Sequence, residues 1–314
     1  MLDSDNWTGE MKPTIRLIIL LASIPFGLLI TSSAGPVKII AAPQTQTGAS
    51  ERPPLDQLIN VGGYRLHLKC IGTGGPTVIL EAGQGGGSED WDMVMPEVAK
   101  HTRVCAYDRA GRGTSDPPRR KLRGFDSHTY IELRTGQEVV RDMHTLLAKA
   151  GEGGPYVIAA HSLGGLFAIL YTHQYPKEIV GLVFVDISHP DQTARQDALT
   201  SPEMARQRHD GLMQNREGLD IDEILAQVRA LNWRTSIPLY VLARGATAPP
   251  SADWTAENWA KYGAAQREMQ QDHTRRSSNS KLIIAEKSGH AIHQDQPELV
   301  IDAIKQVVNI ARTK

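Results

Sequence analysis

A serine stands at the centre of the segment with the clearest chemical signature in this sequence. Residues 156–160, Tyr-Val-Ile-Ala-Ala, form an apolar run with strand character, and residues 163–175 form a nearly continuous apolar stretch of helical length. The turn between them carries Ser162, with the small residues Ala160 and Gly164 two positions to either side. In such a strand, turn and helix, a serine is held in a strained conformation that exposes its hydroxyl. We therefore interpret Ser162 as a nucleophile, against the alternative that it only caps a helix.

Histidines supply candidate proton acceptors for this serine. His290 follows an apolar run at 281–285 and the turn residue Gly289, so it lies in a loop after a predicted strand. His293 is three positions farther on, but the remaining ligands of a metal site are missing, and we interpret it as structural. We expect the His161 side chain, beside the serine, to point away from the reacting face of the turn.

The surrounding elements alternate between strands and helices. Strand-like runs occur at 64–70, 77–80, 103–107, 156–160, 179–185, 238–242 and 281–285, and helical patterns at 88–100, 138–150, 163–175 and 297–310. This alternation predicts an α/β fold, with a mostly parallel sheet flanked by helices on both faces. The run at 64–70 alternates polar and apolar residues, which indicates an antiparallel strand with one wet face. The polar, helix-prone stretch at 191–232 has no strand run and is expected to pack over an active site.

Composition and charge exclude several classes of protein. The chain has 314 residues, of which 40% are hydrophobic and 22% charged, so it is long enough to bury a sizeable core and is neither disordered nor fibrous. Its formal charge of -1 leaves no broad basic surface for a nucleic-acid partner. The two cysteines lack the spacing of a zinc knuckle or a redox pair, and they can form at most one disulfide.

The N-terminus has the features of an export signal. Residues 17–30 carry no charge, follow basic residues and precede small ones, and this run is shorter than the ~20 residues of a spanning helix. We predict a signal peptide at 1–34 that is cleaved after Ala34, with an uncleaved membrane anchor as the alternative. A linker rich in small and polar residues follows at 35–54. The protein is therefore expected to be periplasmic or extracellular, or membrane-anchored if the signal is not cleaved.

The motifs together resemble the α/β-hydrolase fold superfamily, and in particular its serine esterases and lipases. The resemblance covers the chain from about Gly62 to the C-terminus. Beside the serine turn, it rests on three loops that follow strands: Glu-Ala-Gly-Gln-Gly-Gly-Gly at 81–87, Tyr-Asp-Arg-Ala-Gly-Arg-Gly-Thr-Ser at 107–115 and Ser-Gly-His at 288–290. The resemblance implies one hydrolase domain at 55–314, with a helical lid inserted after the sixth strand at about 187–235.

The resemblance also implies the roles of three side chains. His290 stands where the family has its general base, which takes the proton of Ser162 during attack and returns it to the leaving group. The acid that orients His290 is either Asp186, at the end of a strand, or Asp253, in the loop where most of the family has its acid. Because Asp253 comes later after its strand than is usual, we favour Asp186.

Backbone groups of two loops are implied as the oxyanion hole. The resemblance assigns the N–H groups of Leu163 and Gln84 to stabilise the negative oxygen of a tetrahedral intermediate. Asp108 and Arg109, in the loop after the fourth strand, receive a structural role beneath the site.

A disulfide is implied by the same resemblance. Cys70 and Cys105 fall on the second and fourth strands of the fold, which are neighbours in its sheet. Export to an oxidising compartment would keep a Cys70–Cys105 bond formed. The alternative is two buried thiols that act as small apolar residues.

The resulting functional expectation is a serine hydrolase that cleaves a carboxylic ester or a lactone through an acyl-Ser162 intermediate. The resemblance implies no metal and no organic cofactor, a small-molecule substrate, and membrane association only through the N-terminal segment. Ser162 argues against dehalogenases and epoxide hydrolases of this fold, which use an aspartate nucleophile. Two alternatives stay open: a serine-triad relative with other chemistry, such as a cofactor-free haloperoxidase or a C–C hydrolase, and a non-catalytic binding protein on the same fold.

Overall fold

The computed structural model describes residues 52–118, 132–245 and 254–313. The predicted signal peptide or anchor at 1–34, most of the predicted linker at 35–54, and Asp253 lie outside these ranges. Contacts divide the chain into units at Met1–Gln46 and Thr47–Lys314, and every described residue belongs to the second unit. No helix within the described ranges is long and apolar enough to cross a membrane.

The strands of the described residues form one mostly parallel sheet. They are β1 (Leu55–Asn60), β2 (Arg65–Ile71), β3 (Thr77–Glu81), β4 (Val104–Tyr107), β5 (Tyr156–His161), β6 (Ile179–Val185), β7 (Leu239–Arg244) and β8 (Ser280–Ala285). Their order across the sheet is β1-β2-β4-β3-β5-β6-β7-β8. Only the β1–β2 and β2–β4 pairs of this sheet are antiparallel. The predicted parallel sheet and its antiparallel second strand are thus confirmed, and the carboxyl ends of β3, β5, β6 and β7 share one edge.

Helices cover both faces of this sheet. Those of the described residues are α1 (Met95–Ala99), α2 (Gly136–Lys149), α3 (Gly164–Gln174), α4 (Gln192–Asp197), α5 (Pro202–Met213), α6 (Ile221–Ala230), α7 (Ala256–Thr274), α8 (Ile292–Asp295) and α9 (Pro297–Arg312). Because side chains alternate along a strand, β5 contributes to two cores. Ile158 and Ala160 pack in the core that contains α2, α3 and α6, whereas Val157 and Ala159 pack in the core of α1 and α9. The predicted flanking helices are confirmed.

The prediction of a single helix over 88–100 is wrong. This segment divides into a 3-10 turn at Ser88–Trp91 and the separate helix α1, with Pro96 in the first turn of α1. Proline lacks an N–H donor, so a helix can begin at Pro96 but cannot run through it. Gly87 is the N-cap residue of the 3-10 turn, and no side chain caps it.

The edge strand β1 and the long helix α7 were not identified from the sequence. β1 is an edge strand whose side chains are mostly exposed or half-buried, so its residues carry little burial pattern. α7 begins after the cap residue Thr255, and the face that it buries mixes apolar residues with polar ones such as Gln266 and Gln270. Both elements lack the apolar periodicity on which sequence prediction depends.

The insertion between β6 and β7 is helical, as expected, and contains α4, α5 and α6. α6 buries Ile221, Ile224, Leu225 and Val228 in the core that it shares with α2 and α3. α4 contacts α5 and α7 instead. Part of the insertion is therefore built into the body of the domain, and its action as a lid stays a prediction.

The two cysteines face one another in the antiparallel part of the sheet. Cys70 on β2 is directly opposite Cys105 on β4, and the two form a disulfide. Both side chains are fully buried. Opposite positions on antiparallel strands bring side chains close enough for such a bond.

Removing this disulfide should lower the free energy of unfolding by about 2–4 kcal/mol, because the bond restricts the unfolded chain. The cysteines are 35 positions apart, which makes the restricted loop a long one. The change is Cys70→Ala together with Cys105→Ala, measured by urea unfolding beside wild type, with and without a thiol reductant. The reductant should lower the free energy of unfolding of the wild-type protein and leave that of the variant unchanged. Two alkylatable thiols in the unreduced wild-type protein would show that the bond is absent.

Candidate active site

Ser162 occupies the tight turn between β5 and α3. Its φ of 51° lies in the left-handed region, which side-chain-bearing residues adopt at a cost in free energy. Two hydrogen bonds to the neighbouring segment hold the turn. The Ser162 amide donates to Val185 O at 3.3 Å, and the Ser188 amide donates to Ser162 O at 2.9 Å. The strained serine conformation expected from the sequence is therefore present and is supported from β6.

Two glycines let this turn approach its neighbours closely. A Cβ atom at Gly164 would lie 2.4 Å from Ala82 O, and a Cβ atom at Gly165 would lie 2.3 Å from the Ile187 side chain. Both distances are far shorter than van der Waals contact. The Ala82 oxygen belongs to the backbone of the loop after β3, so it cannot move aside as the end of a flexible side chain could. The Gly-Gly pair after the serine is thus required for α3 to pack on the carboxyl ends of β3 and β6.

His290 is placed beside the serine by the loop that follows β8. Its Nε2 atom is 2.9 Å from Ser162 Oγ. Two contacts fix this loop: the Gly289 amide donates to Asp295 Oδ2 at 2.9 Å, and His161 Nε2 donates to the His290 carbonyl oxygen at 3.0 Å. The His290 side chain is 43% exposed, so solvent and small molecules reach it.

Asp186 extends this chain of hydrogen bonds from the end of β6. Its Oδ2 atom is 2.6 Å from His290 Nδ1, and its side chain is 1% exposed. Its φ of 45° is also left-handed, and its amide donates to Leu242 O at 2.8 Å. A buried carboxylate at Nδ1 holds an imidazole in the tautomer whose Nε2 can accept a proton. The structure thus brings together Ser162, His290 and the favoured acid, whereas Asp253 lies outside the described residues.

Arg244, the last residue of β7, also binds this carboxylate. Its Nη2 atom lies 2.7 Å from Asp186 Oδ2 and 3.2 Å from His290 Nδ1. Its backbone amide donates to Asp186 Oδ1 at 3.3 Å. Because Arg244 contacts both carboxylate oxygens, it fixes the orientation of Asp186. The sequence analysis missed this residue, although an arginine at the end of a buried strand was an available signal.

The amides predicted for the oxyanion hole lie next to the serine. Leu163 follows Ser162 directly. Gly83, which precedes Gln84, is so close that a Cβ atom there would stand 3.1 Å from Ser162 Cβ. Among the described residues, neither the Leu163 nor the Gln84 amide donates to a protein acceptor. Both N–H groups are therefore available to an incoming oxygen.

A buried guanidinium holds the loop after β3. Arg109 donates to Ala82 O at 2.7 Å and to Gly83 O at 2.5 Å. It also pairs with Glu81 at 2.5 Å and Glu217 at 2.6 Å, and all three charged side chains are buried. Burial lowers the pKa of the Arg109 guanidinium, but the adjacent Glu217 and Glu81 carboxylates outweigh burial and raise that pKa. Arg109 therefore stays charged and cross-links the loop.

The insertion is tied to this same loop. Glu217, between α5 and α6, accepts a hydrogen bond from the Gly85 amide at 2.9 Å. The Gln84 side chain donates from Nε2 to Leu212 O at 3.1 Å. The insertion therefore helps to fix the backbone that carries the Gln84 amide.

Asp108 organises the neighbouring loops in the same way. It accepts hydrogen bonds from the Ser88 amide at 2.7 Å and from the Thr114 amide at 3.2 Å. Its side chain is buried and also contacts His67 at 3.1 Å. The structural role predicted for Asp108 and Arg109 is confirmed.

Two further histidines pack behind His290. The His161 ring lies 4.5 Å from the His290 ring and 4.4 Å from the His293 ring. His161 was expected to point away from the reacting face of the turn. It supports His290 by ring contact and by the hydrogen bond to the His290 carbonyl oxygen. His293 is buried against Trp91 at 4.9 Å, and neither of its nitrogens has a partner in the described part of the chain. His293 is therefore structural, as expected.

One group of potential metal ligands occurs within the described ranges: Cys70, Cys105 and Glu152. The two sulfur atoms are already joined in the disulfide. Glu152 pairs with the buried Arg103 at 2.6 Å. This group is therefore explained by other bonds and is not a metal site.

A match to a family model covers most of the chain. Residues 78–303 match the model described as the alpha/beta hydrolase family. This chain belongs to that family. The matched range contains Ser162, Asp186 and His290, so the hydrogen-bonded chain lies within the region typical of an alpha/beta hydrolase.

This alpha/beta hydrolase is similar in sequence to curated proteins from bacteria and fungi. It is 28% identical over 258 residues to uncharacterized protein YqjL of Bacillus subtilis, a match that covers 81% of this chain and 92% of that protein. The chain covers a smaller share of other curated relatives. It is 26% identical to a protein named probable transporter efuK of Hormonema carpetanum, a match that covers 80% of this chain and 42% of that protein.

Several solved structures with a similar fold are hydrolases, and two of them serve as examples. An esterase from Thermogutta terrifontis has a TM-score of 0.52 at 17% identity, over 83% of this chain and 99% of the esterase. A meta-cleavage product hydrolase from Pseudomonas fluorescens has a TM-score of 0.53 at 14% identity, over 81% of this chain and 98% of that chain. At these identities the likeness establishes the fold of this alpha/beta hydrolase and selects no reaction.

Replacing Arg109 by Met should lower the free energy of unfolding by about 3–5 kcal/mol, because Glu81 and Glu217 would lose their buried counter-charge. The matched control is Arg112→Met, at a half-buried arginine whose Nε donates to Gly86 O at 3.4 Å. The control should change stability by less than about 1 kcal/mol. Urea unfolding of both variants measures the difference. Equal effects would mean that Arg109 does not cross-link the loop.

Acidification should destabilise the fold through His293. Burial first, and then the charge of His290, lower the pKa of His293 from 6.5 to about 4. Between these values the unfolded chain binds the proton and the folded protein does not. The free energy of unfolding should therefore fall as the pH drops from about 6.5 to about 4, by up to about 3 kcal/mol for this group.

The measurement is urea unfolding at a series of pH values. His293→Gln should flatten the decline between pH 6.5 and about 4. The control His173→Gln, at an exposed position of α3, should leave it unchanged. A decline that is the same in His293→Gln and in wild type would contradict the assignment.

Proposed function

We propose that this protein is a serine hydrolase that cleaves a carboxylic ester or a lactone through an acyl-Ser162 intermediate. The observation that carries the proposal is the chain of contacts from Ser162 Oγ to His290 Nε2 at 2.9 Å and from His290 Nδ1 to Asp186 Oδ2 at 2.6 Å. A nucleophile, a base and a buried acid in this sequence of contacts are what acyl transfer requires.

The reaction follows from these contacts. His290 Nε2 accepts the hydroxyl proton as Ser162 Oγ attacks the carbonyl carbon of the ester. Asp186 holds the required tautomer and stabilises the imidazolium that forms. The amides of Leu163 and Gln84 stabilise the oxygen of the tetrahedral intermediate. His290 then returns the proton to the leaving alcohol, and a water activated by the same base hydrolyses the acyl-enzyme.

The buried charges around the site support this mechanism by keeping its donors fixed. Arg109 binds the carbonyl oxygens of Ala82 and Gly83, immediately before the Gln84 amide. Donors that are held in place before the reaction need no reorganisation when negative charge develops. Arg244 does the same for the carboxylate of Asp186.

The rival functions share parts of this site. C–C hydrolases and cofactor-free haloperoxidases of the fold keep a serine triad, so the contacts of Ser162 do not separate them from an esterase. A non-catalytic binding protein would need neither the strained serine nor the buried Asp186. The accessible His290 imidazole and the free amides beside Ser162 favour turnover over simple binding.

Turnover of esters should depend on Ser162 and Asp186. By analogy with serine proteases, Ser162→Ala should lower kcat by ~10⁶ and Asp186→Asn by ~10⁴. The measurement is initial rates on an ester panel of graded acyl length. Asp191→Asn is the control, because Asp191 also follows β6 but is 48% exposed and pairs with Arg229. It should stay within a few fold of wild type.

Several outcomes of this experiment would contradict the proposal. Retention of a tenth of the wild-type rate by Ser162→Ala would exclude the acyl-enzyme. A wild-type rate in Asp186→Asn would show that another acid orients His290. Turnover of C–C bond substrates without any turnover of esters or lactones would favour the rival chemistry.

A further inference from the structure

The Leu163 amide, the first donor of the oxyanion hole, is oriented by backbone groups alone. In a peptide group the N–H and the preceding C=O share one plane, so a hydrogen bond to the carbonyl oxygen also fixes the N–H. The carbonyl that shares a peptide with the Leu163 amide is that of Ser162. It accepts hydrogen bonds from the amides of Ser188 at 2.9 Å and Gly165 at 3.1 Å.

The Gln84 amide, the second donor, depends on a charged side chain instead. Its peptide carbonyl is Gly83 O, which accepts a hydrogen bond from Arg109 Nη2 at 2.5 Å. This peptide bond is trans, so the Gln84 N–H points away from the guanidinium. A hydrogen bond to the carbonyl oxygen also polarises the peptide and makes its N–H a stronger donor. Arg109 thus acts on the second donor through one peptide group.

Glu217 fixes the part of the guanidinium that makes this bond. Its Oε1 atom accepts from Arg109 Nη2 at 3.1 Å, and its Oε2 atom accepts from Arg109 Nε at 2.6 Å. Oε1 also accepts a hydrogen bond from the Gly85 amide at 2.9 Å, and that amide belongs to the peptide after Gln84. A single carboxylate therefore controls the peptide groups on both sides of Gln84.

The segment of the insertion that carries Glu217 is itself held in place. Asn215 is buried, and its Nδ2 atom donates to Leu212 O and to Leu219 O, each at 3.0 Å. Its Oδ1 atom accepts a hydrogen bond from the Leu219 amide at 2.8 Å. The Leu212 oxygen also accepts from the Gln84 side chain at 3.1 Å. Segment 212–219 therefore holds Gln84 by its side chain as well as by its backbone.

The other carboxylate on Arg109 has a different position. Glu81 accepts from Arg109 Nη1 at 2.5 Å and from the Tyr107 hydroxyl at 2.6 Å. These contacts lie on the ends of β3 and β4 and do not involve Nη2. Glu81 thus balances the charge of Arg109 from the sheet, whereas Glu217 contacts the loop that carries the second donor.

We propose that segment 212–219 positions the Gln84 amide of the oxyanion hole, with Glu217 as its positioning residue. Glu217 acts through Arg109 and through the Gly85 amide. The inference rests on the proposed acyl transfer and assigns part of its transition-state stabilisation to the insertion. The insertion is then a working part of the active site and not only a cover over it.

Kinetics of Glu217→Gln tests the role of the carboxylate. Glutamine keeps the shape but replaces one acceptor oxygen by an NH2 group, so a donor on Arg109 or Gly85 loses its partner. Loss of a whole oxyanion donor costs about 10²–10³ in kcat, and misplacing one should lower kcat for 4-nitrophenyl hexanoate by about ten-fold or more. KM should stay within about two-fold, because the hole stabilises the transition state and not the bound ester.

Glu203→Gln is the matched control for this variant. Glu203 belongs to α5 of the same insertion, pairs with Arg206 and is 60% exposed. The control removes the same charge without touching the loop after β3. It should leave kcat and KM unchanged.

A ketone probe separates positioning from a general structural effect. Ser162 Oγ bonds to the carbonyl carbon of 1,1,1-trifluoroheptan-2-one, its proton passes to His290 Nε2, and the carbonyl oxygen becomes an oxyanion. The alcohol 1,1,1-trifluoroheptan-2-ol has the same chain but forms no oxyanion. Glu217→Gln should weaken inhibition by the ketone by the factor lost in kcat/KM and leave inhibition by the alcohol unchanged. A residue that only stabilised the fold would change both.

Gln84→Met tests the same segment with less risk to the fold. The half-buried side chain loses its donor to Leu212 O, whereas the backbone amide remains. This variant should weaken the ketone several-fold and spare the alcohol. Circular dichroism checks that each variant is folded at the assay temperature, and Gln84→Met decides the matter if Glu217→Gln is not.

The outcomes distinguish this inference from the proposed function. A wild-type protein that neither hydrolyses esters nor forms the ketone adduct would remove the proposed function and this inference with it. An active wild-type protein whose folded Glu217→Gln variant matches Glu203→Gln in kcat would overturn the role of Glu217 alone. Equal losses for the ketone and the alcohol, in Glu217→Gln or in Gln84→Met, would overturn it as well.

Discussion

The parallel pairing of β5, β6 and β7 holds two residues in left-handed backbone conformations at one edge of the sheet. Ser162 and Asp186 have φ values of 51° and 45°, and each costs free energy on its own. Each is offset by a hydrogen bond to the next strand, from Ser162 to Val185 and from Asp186 to Leu242. Pairing with the neighbouring strand thus fixes the backbone of both residues and with it the positions of their side chains. The His290 imidazole lies between these side chains and contacts both of them.

Buried charges stabilise the backbone on both sides of this edge. Arg109 cross-links the loop after β3 to the insertion through Glu81 and Glu217, and Arg244 fixes the carboxylate of Asp186. Buried ion pairs contribute little net stability compared with apolar packing, so their value here lies in orientation. Desolvating these charges costs free energy, but the charges hold the amides and the Asp186 carboxylate in place before substrate binds.

The sequence predicted those elements whose buried residues are apolar and recur at the spacing of a strand or a helix. The apolar runs around Ser162 and at 179–185 predicted the turn and the parallel sheet. The resemblance to the α/β-hydrolase fold superfamily, and not the local pattern, implied the contact chain of Ser162, His290 and Asp186. Arg244 was missed because its partner is distant in sequence and no periodicity marks it. α7 was missed because polar residues such as Gln270 are buried among its few apolar ones, and the helix over 88–100 was overextended because Pro96 was not given its full weight. Long-range polar contacts are the part that local pattern does not encode.

The central claim is that Ser162 is a nucleophile activated by His290. The most direct measurement is covalent labelling with a fluorophosphonate, followed by intact mass and peptide mapping. The account predicts one adduct per chain, located on Ser162, absent in Ser162→Ala and formed far more slowly in His290→Ala. An unlabelled wild-type protein, or an adduct that persists in Ser162→Ala, would contradict it.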